Sequence, residues 1–158
     1  MLNKIIILVS FFILATPLAL ANNNDWRKNS STDKKLENLI KVIPSTSDLM
    51  IQMGERYKNL YWAGKQGKWD FADYQIDEMQ ALIRTLKITR PKRSKSIDTH
   101  FKNAFTDIQK AIKENNWSKF SAAFDSMRNK CMACHRANDH AFIVLNPKPA
   151  KGNSPALD

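Results

Sequence analysis

Apolar residues in this chain recur at steps of three and four, and that spacing constrains the fold more than any other feature. Met50, Met53, Tyr57, Leu60 and Gly64 form one such stripe, and Trp69, Ala72, Ile76, Met79, Ile83 and Leu86 a second. Ile97, Phe101, Ala104, Ile108 and Ala111 form a third, and Trp117, Phe120, Phe124, Met127, Cys131 and Cys134 a fourth. Steps of three and four keep side chains on one face of a helix, whereas a strand would alternate at every second residue. The spacing predicts helices over residues 46–65, 70–88, 96–114 and 118–143. The breaks at 64–68 and 115–116 are short, which makes neighbouring helices antiparallel. Residues 89–95 form a longer break that contains Pro91. The expected fold is all-α, an antiparallel four-helix bundle built from two helical hairpins. Asp70 and Ser118 suit N-caps, with Trp69 and Trp117 folding onto the helix starts.

The flanks of this domain are of a different character. Lys4 ends a short basic leader, residues 5–14 are almost wholly apolar, and Ala19-Leu20-Ala21 offers a small-x-small cleavage site before three asparagines. That is the three-part pattern of a secretory signal peptide, and its apolar run is short for a membrane span. Residues 1–21 are therefore expected to be cleaved. The mature chain then has no membrane span and works outside the cytoplasm. Residues 22–45 read as a polar lead-in with room for a short helix over 36–43, stopped at Pro44. Residues 144–158 carry Pro147, Pro149 and Pro155 and are expected to be a flexible tail. Of 158 residues, 25 are basic and 15 acidic, for a net charge of +10. Such a charge suits an acidic partner, but export argues against a nucleic acid. No G-x-G-x-x-G or P-loop string supports nucleotide binding.

Cys131-Met132-Ala133-Cys134-His135 is the one motif that carries chemistry. C-x-x-C-H is the attachment signature for c-type haem. Each thiol adds to one vinyl group to make a thioether, and the adjacent imidazole reaches the iron. Chance would place two cysteines and a histidine this way in about one sequence in 4,000 of this composition. A disulfide, a thioredoxin-like pair and a zinc site drawing on Cys131, Cys134, His135 and His140 compete with it. The disulfide loop would be strained, no βαβ context is visible for a redox pair, and the four ligands are too compressed for paired zinc spacing. Cys131 and Cys134 also continue the apolar stripe of the fourth helix, so one covalent haem c would lie on the core face, between helices.

A single C-x-x-C-H near the end of a four-helix chain resembles the class II c-type cytochromes, the cytochrome c-prime and c-556 group. The resemblance covers residues 46–143. It implies that Cys131 and Cys134 hold the haem, that His135 is the proximal ligand, and that the distal residue comes from the first helix. That residue is either a Met, giving six-coordinate iron, or a non-ligating side chain, giving five-coordinate iron. No Met follows His135, which disfavours a class I cytochrome. The chain departs from the family by running on past the motif to Asp158.

An antiparallel first helix meets the level of His135 at residues 48–54, which makes Met53 the preferred second iron ligand and Met50 the next. An open site below Leu60, four residues after Arg56, is the third choice. His100 is a weaker option, and His140 follows His135 too closely to reach the opposite haem face. Arg84, Lys87, Arg90, Lys92, Arg93 and Lys95 cluster between the second and third helices. They read as a solvated face, a docking patch for an acidic redox partner, or neighbours of the haem propionates, with Arg56 and Lys58 as alternative propionate partners. The function expected is a periplasmic monohaem cytochrome that carries single electrons between redox proteins. The alternative is a five-coordinate haem protein that binds nitric oxide or carbon monoxide. A third reading is a haem-carrying subunit that works only inside a larger respiratory complex, and the sequence leaves the oligomeric state open, a homodimer included. No distal acid–base pair is visible, so no enzyme is expected.

Overall fold

The computed structural model describes residues 25–158, and every regular element in them is helical. The helices are α1 (Trp26–Asn29), α2 (Thr32–Lys41), α3 (Thr46–Lys65), α4 (Trp69–Thr89), α5 (Pro91–Phe101), α6 (Thr106–Lys113) and α7 (Trp117–Ala137), followed by a 3-10 turn at Pro155–Leu157. The described residues are thus all-α. None of their helices is long and apolar enough to cross a membrane. The signal peptide expected at 1–21 lies outside the described residues.

The chain divides into two units between Val42 and Ile43. The first carries α1 and α2. Ser31 caps α2 by accepting from the Lys34 amide, and Glu37 is paired with both Lys34 and Lys41. This is the short helix foreseen in the lead-in, begun four residues earlier because Ser31 supplies the cap.

In the second unit α3 packs on α4 and α7, while α5 and α6 pack on α4 and α7 in turn. A capping box opens α3: the Ser45 hydroxyl takes the Asp48 amide, and the Asp48 carboxylate takes the Ser45 amide at 2.8 Å. The helix ends where Gly67 adopts φ 70°, with Lys68 N bonded to Ala63 O at 2.9 Å and Gly67 N to Gly64 O at 3.2 Å. This Schellman turn delivers the chain directly into α4. Trp69 is consequently the first residue of α4 and Asp70 lies inside its first turn, rather than capping it. Asn116, not Ser118, caps α7 by accepting from Lys119 N at 2.9 Å.

The third predicted helix is two helices. Pro91 at the first position of α5 starts it five residues early, since proline needs no amide partner there. Asn103 then takes φ 59° and breaks the run, so α6 begins at Thr106. The apolar face survives the break: Ile97, Ala104, Phe105, Ile108 and Ala111 are all buried.

The core forms two clusters. The larger holds Leu60, Ile76, Met79, Ile108, Phe120, Phe124 and Met127. The smaller holds Leu49, Leu86 and Ile97, and Met50, Leu82, Ile83 and Phe101 touch both. Gly64 of α3 lies against the Phe120 ring of α7, and a Cβ there would stand 2.3 Å from its Cε1.

The fourth helix is shorter than its predicted span to residue 143. It ends at Ala137, because Asp139 takes φ 63° and His140 N bonds His135 O at 2.8 Å, a Schellman turn without glycine. The tail, expected to be flexible, is laid back on α3. Tyr57 Oη donates to Asn146 O at 2.7 Å, Trp62 Nε1 to Pro149 O at 2.9 Å and Gln66 Nε2 to Leu157 O at 3.1 Å. Leu157 is buried in the main core cluster. Two side-chain donors on α3, a third at its C-cap and one buried leucine thus hold a segment that has almost no regular structure of its own.

Candidate functional site

Four helices and the segment after α7 enclose one apolar cavity between the two core clusters. Leu86 and Ile97 wall it on the side of the smaller cluster, and Met53, Tyr57 and Met79 on the side of the larger. About 920 Å³ of space, part of it continuous with solvent, lies among the lining atoms. Cys131, Cys134 and His135 of α7 all line this cavity, and so do Met50 and Met53 of α3. All five sequence-selected site residues therefore share one enclosure.

The α7 side chains reach it because Cys131 and Cys134 continue the stripe of Phe120, Phe124 and Met127, which is buried. Both cysteines are free thiols. Burial pushes the Cys131 thiol up to about 12, with the Cys134 sulfur adding to the effect. Burial raises Cys134 as well, partly offset by its contact with the Ser96 hydroxyl and by Arg93. Neutral thiols in an apolar wall are slow to exchange disulfides. The Cys134 sulfur lies 3.6 Å from Asn138 Nδ2, which also donates to Cys134 O at 2.8 Å and to Ser96 Oγ at 2.7 Å. Arg93 Nη1 donates to Asn138 Oδ1 at 3.1 Å. This network ties the start of α5 to the end of α7 beside the motif.

His135 Nδ1 lies 2.9 Å from Ile143 O. A carbonyl only accepts, so Nδ1 carries the hydrogen, and in the neutral ring Nε2 is the nitrogen with the lone pair. That is the arrangement usual for an imidazole that binds a metal through Nε2. On α3, Met53 is buried and Met50 half-buried. Gly54 beside them has nothing within 4 Å of where a Cβ would stand. A glycine inside a helix costs about 1 kcal/mol against alanine. Here neither a positive φ nor a close neighbour requires it, and its effect is to leave the cavity open.

Other candidates fall elsewhere. Leu60 is fully buried in the main core and does not line the cavity. His100 lies on a separate polar groove with Asp125 and Lys130. Arg56 spans α3 and α4, donating to Gln75 Oε1 and Glu78 Oε2, each at 3.3 Å, and Lys58 pairs with Glu55. In the basic cluster, Lys87 pairs with Asp98 at 2.6 Å, and Arg90 donates to Pro44 O at 2.9 Å. Arg93 is the member that lines the cavity. His140 is not on α7 but past its end, and it lines the cavity too. Among the described residues no group of three or more His, Cys, Asp or Glu is placed to hold a metal ion, so the four-ligand zinc cluster is not assembled.

Sequence reasoning missed Met79, Gly54, Ile143 and Leu145 as lining residues. Met79 was legible as a member of the second stripe. Ile143 and Leu145 belong to a non-helical return of the chain and had no periodic signal. Comparison with protein-family models, with curated proteins and with solved structures returned no match.

Proposed function

We propose that this chain is an exported, periplasmic monohaem c-type cytochrome that carries single electrons between redox proteins. The observation that carries the reading is the convergence of Cys131, Cys134, His135, Met50 and Met53 on one apolar cavity. The residues present fit the group. The cavity wall takes Met53, Tyr57 and Met79 from one core cluster and Leu86 and Ile97 from the other, an apolar lining suited to an apolar occupant. Gly54 leaves open the space beside the two methionines.

In this reading Cys131 and Cys134 hold the haem by thioethers, and His135 offers Nε2 to the iron. Met53 is the preferred ligand from α3, Met50 the next, and Met79 a third that the cavity adds. Arg93 is the guanidinium at hand for a propionate. Haem c supplies a one-electron couple when bound, and Met–His ligation favours the reduced state. The chain's part is to keep the ligands fixed in both oxidation states and to exclude water. Tyr57 is a poor acid or base, since its hydroxyl is committed to Asn146 O and burial raises its pKa well above the usual 10. That supports a carrier over an enzyme. The fold that goes with this function is an antiparallel four-helix bundle of α3, α4, α5 with α6, and α7. Without residues 1–21, which carry Lys4 and no acidic residue, the mature chain has a net charge of 24 − 15 = +9, which suits acidic redox partners.

Optical spectra of the exported protein, ferric, ferrous and under carbon monoxide, test the reading. A low-spin spectrum that resists carbon monoxide is expected, and Met53→Ala should turn it high-spin and reactive. A high-spin parent that binds carbon monoxide readily would replace the carrier with a five-coordinate, gas-binding protein. A spectrum without haem would overturn both.

A further inference from the structure

Beyond α7 the chain returns along that helix, and three α7 side chains on one face bind it. Arg128, Met132 and His135 follow one another at steps of four and three, which places them on a single face. Arg128 Nε donates to Leu145 O at 2.7 Å, Met132 Sδ accepts from Leu145 N at 3.3 Å, and His135 Nδ1 donates to Ile143 O at 2.9 Å. The return is also closed at both ends. His140 N bonds His135 O at 2.8 Å where it leaves α7, and Tyr57 Oη bonds Asn146 O at 2.7 Å where it reaches α3.

We infer that residues 138–146 are a strap that holds the Ile143 carbonyl against His135, and that Arg128 is the positioning residue that anchors it. This rests on the haem reading above. The acceptor of the His135 hydrogen is a backbone atom, so its position depends on whatever pins the strap. Arg128 is the charged anchor. It is half-buried, and hydrogen bonds from a charged donor are about twice as strong as neutral ones. Met132 Sδ is a weak acceptor by comparison. A hydrogen bond at Nδ1 fixes the tautomer and turns Nε2 toward the cavity. It also raises the basicity of the ligand, which stabilises ferric over ferrous iron. Loss of the anchor should therefore loosen the bond and raise the reduction potential, without touching the cysteines.

The test compares Arg128→Met, which keeps the apolar stem but removes the donor, with Arg128→Lys, which keeps a donor. Reduction potential is measured on the loaded protein, and solvent exchange of the His135 ring N–H by NMR on loaded and haem-free chains. Arg128→Met should weaken the preference for ferric iron threefold to tenfold, about 30–60 mV at 59 mV per tenfold for one electron. Ring N–H exchange should quicken at least tenfold while haem stays covalently attached. Arg128→Lys should restore most of both. An Arg128→Met protein with haem attached and both quantities unchanged would overturn the inference. A parent without haem would overturn the proposed function instead, and ring exchange in that haem-free chain would still decide the strap: unchanged exchange in Arg128→Met would sink it.

Discussion

Adding one methyl group at Gly64 should destabilise the protein, although alanine is the better helix former. A Cβ there would lie 2.3, 2.5 and 2.7 Å from three carbons of the Phe120 ring. Ordinary contact begins near 3.4 Å, so the ring must retreat by about 1 Å. It has nowhere to go. Phe120 has no exposed surface, and its ring is flanked by Trp69 at 5.8 Å, Trp117 at 5.7 Å and Phe124 at 6.1 Å between centroids. Overpacking a filled core costs about 1–3 kcal/mol. The helix propensity gained on replacing glycine offsets up to about 1 kcal/mol. Because the ring cannot retreat, the cost falls at the top of that range, and the net loss should be about 2 kcal/mol. For a domain of this size that is a fall in Tm of about 4–8 °C. Thermal unfolding of parent and Gly64→Ala, followed by helical circular dichroism, measures it. A variant as stable as the parent would refute the close approach of α3 to α7 at this point.

Gly54→Ala is the matched change ten residues earlier, where nothing lies within 4 Å. It should stabilise the haem-free chain by about 1 kcal/mol and lose that gain in the loaded protein, because the new Cβ then meets an occupant; equal gains in both, read from urea midpoints, would contradict a filled cavity. Leu157→Ala should cost about 2–3 kcal/mol in the same assay, as a buried leucine does, whereas a free tail would show no change. Hydrogen bonds from Lys34 and Lys41 hold the Glu37 carboxyl at about 2 instead of its ordinary 4.5. A depressed folded-state value means the contribution to α2 is full above about pH 4.5 and is lost as pH falls through 2. A carboxyl NMR titration should show that midpoint, and one near 4.5 in the parent chain would contradict the pairing.

Much of the helical content was legible because stripes of three and four record burial directly. Met53, Tyr57, Leu60, Ile76, Met79, Ile108, Phe120 and Phe124 are all predicted seam positions and all are buried. The ends of the helices were less legible, for a physical reason. Three of the stops use Asn103, Asn115 and Asp139 in the left-handed region, where glycine is the usual marker, and only Asn115, in an Asn-Asn break, carried a signal in the sequence. The site divides in the same way. Cys131, Cys134, His135, Met50 and Met53 were found because motif and register are properties of side chains. The strap was not, because its bonds to α7 end on Ile143 O and on the amide and carbonyl of Leu145. Backbone atoms are the same at every position, and only the folded chain shows which ones are used. The docking of the tail was hidden likewise, since its prolines argue against a continuous α-helix but say nothing of the carbonyls that Tyr57 and Trp62 bind.

The central claim is that Cys131 and Cys134 carry a covalent haem, and the intact mass of the exported, fully denatured chain tests it most directly. The account predicts the mass of the mature chain plus one haem, retained after acid extraction, with Cys131→Ser, Cys134→Ser double substitution abolishing the increment. A bare chain, or one lighter by the two hydrogens of a disulfide, would contradict it.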